Sequence, residues 1–101
     1  MTVRFKVARR AESQIREAAE WWLENRREAS NMFAEDLESA FALLSEFPRA
    51  GEAVRHRRIP TLRRILLSRV QFHLYYAVAA DASAVEVLAL WHASRGAKPP
   101  I

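Results

Sequence analysis

The spacing of the apolar residues changes along the chain, and these changes limit the order of elements that it can form. Residues 3–7 alternate between apolar and basic side chains, which is the period of a half-buried strand. From about Arg9 the apolar positions follow helical spacing, and after residue 60 strand-like segments return, of which residues 71–79 alternate most clearly. The chain is therefore predicted to begin with a strand, continue as helix and end as sheet.

Two helices are predicted between the first strand and Pro48. One apolar face of the first helix, which should end near residue 26, is formed by Ala11, Ile15, Ala18 and Trp22. The second helix stops before Pro48 and Gly51, and its apolar face is formed by Phe33, Leu37, Ala40, Phe41 and Leu44. Because few residues separate the two helices, we expect an antiparallel hairpin.

Residues 48–60 show no period and lie between two prolines, so a long surface loop is predicted there. Strands are predicted over 61–68, 71–79 and 84–91, and their short links indicate a meander of hairpins. The last residues, from Lys98, are expected to be extended or loose. The fold class is thus α+β: a single domain over residues 1–101, in the order βααβββ, with the helical hairpin packed on one face of an antiparallel sheet.

Composition excludes several kinds of site. The chain has no cysteine, which rules out disulfides and thiolate metal sites, and its three histidines have no metal-ligand spacing. Its two glycines cannot build a phosphate-binding loop. No apolar run has the length of a signal peptide or a membrane span. We therefore expect no metal, no cofactor, no membrane partner and a cytoplasmic location.

Positive charge is concentrated in one segment. Between Arg49 and Arg69 there are seven arginines and one acid, Glu52, whereas the segment from Glu12 to Glu46 has nine acids and three arginines. A small protein with its charges separated in this way is predicted to present one surface to an anionic partner.

Several local strings resemble the RelE/ParE toxin superfamily of bacterial type II toxin–antitoxin systems. The string FPRAG at 47–51 is similar to the end of that family's second helix, with its Pro-x-x-Gly. LRRILL at 62–67 followed by FHLYYAV at 72–78 resembles its central strand pair, and VLALWHASR at 87–95 resembles its last strand with a His-x-x-Arg ending. The resemblance covers nearly the whole chain.

The resemblance implies a toxin that inhibits growth or stabilises plasmids and is silenced by a cognate antitoxin of the ParD or RelB kind. ParE-like members of the superfamily poison DNA gyrase without cutting nucleic acid, whereas RelE-like members cut mRNA on the ribosome. Such antitoxins are expected to bind by laying a helix in a groove and adding a strand to the sheet.

The ribonuclease alternative has a weaker basis in the residues. Metal-independent RNA cleavage needs an acid or base beside cations aimed at the phosphate. The candidates here are Tyr75, His92, Arg64 and Arg95. RelE-type nucleases resemble one another in a C-terminal tyrosine, but this chain has none after Tyr76, and Ala93 follows His92. We therefore favour a gyrase poison that is not an enzyme, with the metal-independent endoribonuclease as the alternative and a decayed toxin as a third possibility.

Two sets of contact residues are predicted. Target binding is assigned to Arg57, Arg58, Arg63, Arg64, Arg69, His92 and Arg95. Antitoxin binding is assigned to Trp21, Phe33, Leu37, Arg63 and Arg64. Structural alternatives stay open for both sets, because His92 and Arg95 are also consistent with local hydrogen bonding and Trp21 with ordinary packing. The strand face that carries His73 and Tyr75 is predicted to be either solvated or the floor of a basic groove.

Overall fold

The computed structural model describes residues 3–101, and the predicted order of elements is confirmed with one addition. The strands are β1 (Arg4–Val7), β2 (Glu52–Ala53), β3 (Leu62–Leu67), β4 (Phe72–Val78) and β5 (Ala84–His92). The helices are α1 (Arg9–Asn25) and α2 (Met32–Glu46), joined by a short 3-10 turn over Arg27–Ala29. The addition is β2, which lies inside the segment predicted to be only loop.

The five strands form one sheet in the order β1-β5-β4-β3-β2. All neighbours are antiparallel except β1 and β5, which run parallel with Arg4 opposite Ala84. The wholly antiparallel sheet expected from the sequence is therefore corrected in this one pair. The two hairpins β3–β4 and β4–β5 make β3 and β5 run in the same direction, and β1 lies beside β5 along that direction.

The helices pack on one face of the sheet, and the main core lies between the helices and this face. Buried residues of the helices are Ala11, Ala18, Phe33, Ala40 and Leu44. They meet the sheet side chains Leu67, Leu74, Tyr76, Val78, Val85, Val87 and Leu90. Small residues on α1 let the helix approach the strands closely, and the apolar spacing that predicted the helices is the spacing that this core uses. Within residues 3–101 no helix has the length and apolarity needed to cross a membrane.

A bulge in β5 decides which side chains face the helices. Tyr75 pairs with Ala89, but the next residue, Tyr76, pairs with Val87, so Leu88 is an extra residue in β5. A one-residue insertion moves the following side chains to the opposite face of the strand. As a result His92 pairs with Phe72 on the helix side of the sheet, and the two rings make an edge-to-face contact with centroids 5.0 Å apart.

The opposite face of the sheet, which we call the far face, carries a second, smaller apolar cluster of Leu62, Tyr75 and Ala89. The last residues of the chain fold back over this cluster: Pro99 is buried and Ile101 packs against it. The indole N–H of Trp91 donates to the carbonyl of Ala97 at 2.7 Å. Of the two expectations for the tail, extended or loose, the loose one is therefore wrong, because apolar side chains on the far face give the tail a surface to cover.

Candidate functional site

The predicted cationic residue Arg64 is the centre of a polar network on the far face. It pairs with Tyr75 across β3 and β4, and its Nη1 donates to the Tyr75 hydroxyl at 3.1 Å. Its Nε donates to Oε1 of Glu52, which lies opposite Arg64 in the β2–β3 pair. A side-chain carboxylate thus already occupies one edge of this guanidinium, and a phenol occupies the other.

The network shifts the pKa values of its members in consistent directions. The hydrogen bond and charge of Arg64 hold the pKa of Glu52 below its ordinary value, and the same hydrogen bond raises the pKa of Arg64. On the same strand face as Tyr75, His73 has its pKa lowered, first by burial and then by the charge of Arg64. His73 is consequently a neutral imidazole at pH 7, and Glu52 is a carboxylate.

Tyr75 is enclosed, which limits what its phenol can do. Only 2% of the residue is exposed, and Val54, Ile59 and Ile101 pack against the cluster that contains it. His56 fastens this cover: its Nδ1 accepts from the N–H groups of Arg58 and Ile59, so its Nε2 carries the proton and donates to the backbone oxygen of Ile101 at 2.8 Å. The face that carries His73 and Tyr75 was predicted to be either solvated or the floor of a basic groove. At Tyr75 the structure shows neither, because the residue is covered.

The predicted surface of seven arginines is reduced in the structure, because four of the seven are engaged internally. Besides Arg64, these include Arg63, which donates to the carbonyls of Arg49 and Gly51, and Arg49, which donates to the carbonyl of Ala80. The fourth, Arg69, is paired with Glu35 and Asp36 of α2. Within residues 3–101 no side-chain hydrogen bond or ion pair holds Arg55, Arg57 or Arg58, which are all exposed. We call these three residues the arginine loop.

His92 and Arg95 lie at a different site, on the helix side. They line a groove of about 660 Å³ together with Trp21, Trp22, Arg26, Val70, Gln71, Phe72 and Ser94, which we call the tryptophan groove. The four candidates for RNA cleavage are therefore not brought together: Arg64 and Tyr75 belong to the far face, and His92 and Arg95 belong to the tryptophan groove. The bulge in β5 is the reason for this separation.

The predicted antitoxin contacts differ in their accessibility. Trp21 is 47% exposed, as its position beside Trp22 on the helix predicts. Phe33 is only 2% exposed and packs edge to face on Phe72, so the prediction that it forms a surface contact is corrected. Leu37 is half-buried against the core.

Three functional candidates are not evident from the sequence. In the sequence Glu52 is the single acid of a basic segment. That isolation among arginines is the one signal that could have indicated an ion pair. Arg26 and Phe72 join Trp21 only because α1 ends beside the start of β4, which no local pattern reveals. Among residues 3–101 no three acidic or histidine side chains are placed to hold a metal ion.

Comparisons with known proteins show which family and which solved structures this chain resembles. A family profile described as the ParE toxin of type II toxin-antitoxin system, parDE, matches residues 5–96. A search of curated proteins finds no match. Among solved structures, the chromosomal ParDE system of P. aeruginosa is similar, with a TM-score of 0.65 and 18% identity over 89% of this chain and 95% of that one.

Two further solved structures have the same fold at similar distances. The RelBE2 toxin-antitoxin complex of Mycobacterium tuberculosis matches with a TM-score of 0.63 and 19% identity, covering 91% of this chain and 99% of that one. A mutant of the E. coli toxin RelE in complex with an antitoxin RelBc peptide matches with a TM-score of 0.64 and 22% identity, covering 94% and 87%. At these sequence identities, the similarity to the solved structures shows a shared fold and nothing more.

Proposed function

The chain belongs to the ParE toxin family of type II toxin-antitoxin systems, and from this we propose that it stops growth by binding DNA gyrase and is neutralised by a cognate antitoxin in the cytoplasm. Contribution to plasmid stabilisation is part of the same proposal. The toxin acts in it as a binding protein and not as a nuclease. The choice of gyrase as the target comes from the resemblance to ParE-like toxins. The arrangement of the candidate residues supports a mode of action without RNA cleavage.

The observation that carries this choice is the separation of the nuclease candidates. General acid–base cleavage of RNA needs a proton donor or acceptor within hydrogen-bond reach of the reacting oxygen, with cations on the same phosphate. Tyr75 is enclosed and hydrogen-bonded to Arg64, and His92 lies on the other side of the sheet. Because the two groups lie on opposite faces of the sheet, the arrangement favours protein binding over catalysis.

The arginine loop is the proposed contact with the target. Arg55, Arg57 and Arg58 are exposed and engaged by no carboxylate among residues 3–101, whereas Arg63, Arg64 and Arg69 are held by other groups. Guanidinium groups bind carboxylates in a bidentate fashion, and a cluster of them steers an acidic partner over long distances. Of the target contacts predicted from sequence, Arg57 and Arg58 therefore become the first choice.

The ribosome-dependent mRNA endonuclease is the second candidate, favoured by one specific observation. Beside Tyr75, whose hydroxyl accepts from Arg64, lies the imidazole of His73, with ring centroids 6.2 Å apart. A neutral imidazole is a competent proton acceptor. In this alternative the tail would have to move away, exposing Arg64, Tyr75 and His73 to the message.

Two assays test the proposal with the same purified protein. Wild-type toxin should abolish DNA supercoiling by gyrase and leave the message intact in a translating extract analysed by primer extension. The variant Arg57→Glu with Arg58→Glu should lose the supercoiling effect. Arg9→Glu with Arg10→Glu is the matched control, because it reverses two adjacent exposed arginines at the start of α1. Codon-positioned cuts with normal supercoiling would establish the endonuclease instead.

Induction in cells tests the toxin itself. Growth should stop when the toxin is expressed alone and continue when the neighbouring antitoxin gene is expressed with it. Normal growth on induction, with no effect in either assay, would mean that the protein is a decayed toxin and would overturn the proposed function.

A further inference from the structure

His56 lies in the segment of the arginine loop, and both nitrogens of its ring are bound. Its Nδ1 accepts from the backbone N–H groups of Arg58 and Ile59, at 3.1 and 3.2 Å. Its Nε2 donates to the backbone oxygen of Ile101 at 2.8 Å. A neutral imidazole has one donor and one acceptor nitrogen, so the ring is fully used. One side chain therefore joins the arginine loop to the tail of the chain.

Few other hydrogen bonds order the backbone that carries the arginine loop. Val54 donates to the carbonyl of Leu62 at 2.9 Å just before the loop, and Leu62 donates to the carbonyl of Ile59 at 3.2 Å just after it. Between these anchors, no backbone–backbone hydrogen bond in the described part of the chain involves residues 55–58. The ring of His56 therefore supplies the internal support of this backbone.

The tail, over residues 96–101, is attached to the far face by side-chain contacts. The indole N–H of Trp91 donates to the carbonyl of Ala97 at 2.7 Å, Pro99 is buried, and Ile101 packs on the far-face cluster. Among the described residues, no backbone–backbone hydrogen bond joins the tail to a strand. A segment with so few backbone hydrogen bonds opens more easily than the sheet beneath it. The position of the tail thus depends on these few contacts.

Mutual repulsion of the arginines works against a compact loop. Arg55, Arg57 and Arg58 are exposed like charges within four residues, and within residues 3–101 no carboxylate pairs with them. Like charges at such short range favour a spread, extended backbone. A neutral ring that accepts two N–H bonds from this segment opposes the spreading without adding charge.

We propose that His56 is a positioning residue that couples the tail to the arginine loop, so that a docked tail presents Arg57 and Arg58 to the target in one arrangement. This inference rests on the proposed function, because it assumes that the arginine loop contacts the target. When the tail leaves the far face, Nε2 loses its acceptor and the ring is free to turn away from the loop. An ordered loop binds more tightly, since less conformational freedom is lost on binding.

The first test measures hydrogen exchange of the Arg58 and Ile59 amides by NMR in the intact chain. His56→Ala should raise both exchange rates at least about fivefold, because it removes the acceptor of these amides. Trp91→Phe keeps an aromatic ring but removes the donor to Ala97. It should raise the same two rates at least about threefold, although the changed residue lies on β5.

Two conservative variants separate the two hydrogen bonds of the ring. An asparagine side chain accepts from backbone N–H groups a few residues on, so His56→Asn should restore the protection of the loop amides. Adding Trp91→Phe to this variant should change the rates by less than about 1.5-fold, because the loop no longer depends on the tail. A glutamine amide reaches the tail but places no acceptor where Nδ1 lies, so His56→Gln should exchange as fast as His56→Ala. A histidine that only filled space would show no such difference between the two variants.

The second test measures inhibition of DNA supercoiling by gyrase. Trp91→Phe and His56→Ala should each raise the toxin concentration needed for half-inhibition by at least about threefold. The double variant should need no more toxin than His56→Ala alone, since both changes break the same connection. Thermal unfolding of every variant checks that it folds.

Two controls match these changes away from the arginine loop. Trp21→Phe makes the same aromatic change at an exposed position of α1. Asn25→Ala removes a side-chain hydrogen bond to the backbone, the one that Asn25 donates to the carbonyl of Trp21 at 2.9 Å. Both should leave the exchange rates of the loop amides and the half-inhibition within about 1.5-fold of the wild-type values.

Each outcome decides the inference. Unchanged exchange of the Arg58 and Ile59 amides in Trp91→Phe would show that the tail and the loop are independent, and would overturn the coupling while the proposed function stands. Faster exchange with unchanged inhibition would show that the order of the loop does not affect the target, and would overturn the positioning role. If the wild-type toxin does not inhibit supercoiling, the proposed function fails, and the exchange rates still decide whether His56 couples the tail to the loop.

Discussion

The hydroxyl of Tyr76 accepts a hydrogen bond from the backbone N–H of Gly51 at 2.8 Å, and this contact ties the loop after α2 to the centre of the sheet. Tyr76 is fully buried, and Gly51 lies between its hydroxyl and the carbonyl of Arg64. The carbonyl of Gly51 accepts in turn from Arg63 at 2.6 Å. The start of the segment that carries the arginine loop is therefore fixed at Gly51.

Gly51→Ala should destabilise the protein. A Cβ at this position would lie 2.5 Å from the Arg64 carbonyl oxygen and 2.6 Å from the Tyr76 hydroxyl, so the backbone of β3 would have to shift. Overpacking of this kind costs about 1–3 kcal/mol in the free energy of unfolding, measured by urea denaturation. Gly96→Ala is the control, because a Cβ added to Gly96 would have no neighbouring atom within 4 Å. Equal stabilities of the two variants would contradict the crowding at Gly51.

Tyr76→Phe should cost about 1–3 kcal/mol, since it keeps the ring but leaves the buried N–H of Gly51 without an acceptor. Burial raises the pKa of Tyr76 above its ordinary 10.0. The folded state then favours the protonated phenol, and this contribution is present below pH 10 and declines as the pH rises above it. Urea unfolding at pH 9 and at pH 11 should show a smaller loss of stability in the variant than in the wild type.

Asp36→Ala should destabilise the protein more than Arg69→Ala, although the two side chains form an ion pair. Oδ2 of Asp36 accepts from the backbone N–H groups of Arg69 and Val70 at 2.9 and 3.2 Å, and its side chain is only 11% exposed. Loss of these acceptors should cost about 1–3 kcal/mol. Arg69 is half exposed, and its removal should cost less than about 1 kcal/mol. Thermal unfolding of both variants measures the difference, and the reverse order would refute the role of Asp36.

The carboxyl of Glu52 should titrate below its ordinary 4.5, because Arg64 donates a hydrogen bond to it. The folded state thus favours the carboxylate, so the contribution of the pair to stability is present above pH 4.5 and is lost as the pH falls through the lowered pKa. Carboxyl NMR titration of the wild type and of Arg64→Leu checks this. The midpoint should return toward 4.5 in the variant, and an unmoved midpoint would mean that the pair does not persist in solution.

Tyr75→Phe should retain growth inhibition. Within residues 3–101 its hydroxyl binds only Arg64 and its ring packs in the far-face cluster, so the variant removes one hydrogen bond and no surface contact. Loss of toxicity in Tyr75→Phe, with normal thermal stability, would favour the endonuclease.

His92→Ala should leave the supercoiling effect within about threefold, because His92 lies away from the arginine loop. A threefold change corresponds to less than about 1 kcal/mol.

The helices and the central strands follow directly from the spacing of apolar residues, and the structure confirms them. The geometry of adjacent helical positions correctly predicts that Trp22 faces the core and Trp21 faces solvent. The two-residue strand β2 is not predicted because its hydrogen bonds to Arg63 and Arg64 come from tertiary pairing and not from any pattern in Glu52 and Ala53.

The candidate site is harder to predict than the fold, for two physical reasons. Charge clustering shows where arginines occur but not which of them find a carboxylate, and Glu35 and Asp36 are distant in sequence from their partner Arg69. A bulge has no local signature in an aliphatic strand, yet the one at Leu88 transfers His92 from one side of the sheet to the other. If side chains alternated without interruption along β5, His92 would share the far face with Tyr75. The single extra residue, Leu88, places it on the helix side instead.

The parallel pairing of β1 with β5 has a consequence for how the molecule is made. Strand β1 emerges first from the ribosome, but its neighbour in the sheet begins only at Ala84. Closing so long a loop delays this contact until nearly the whole domain has been synthesised, and distant contacts of this kind slow folding. A nascent chain therefore cannot complete its sheet until β5 has been translated, so the toxin reaches its folded form only at the end of its own synthesis.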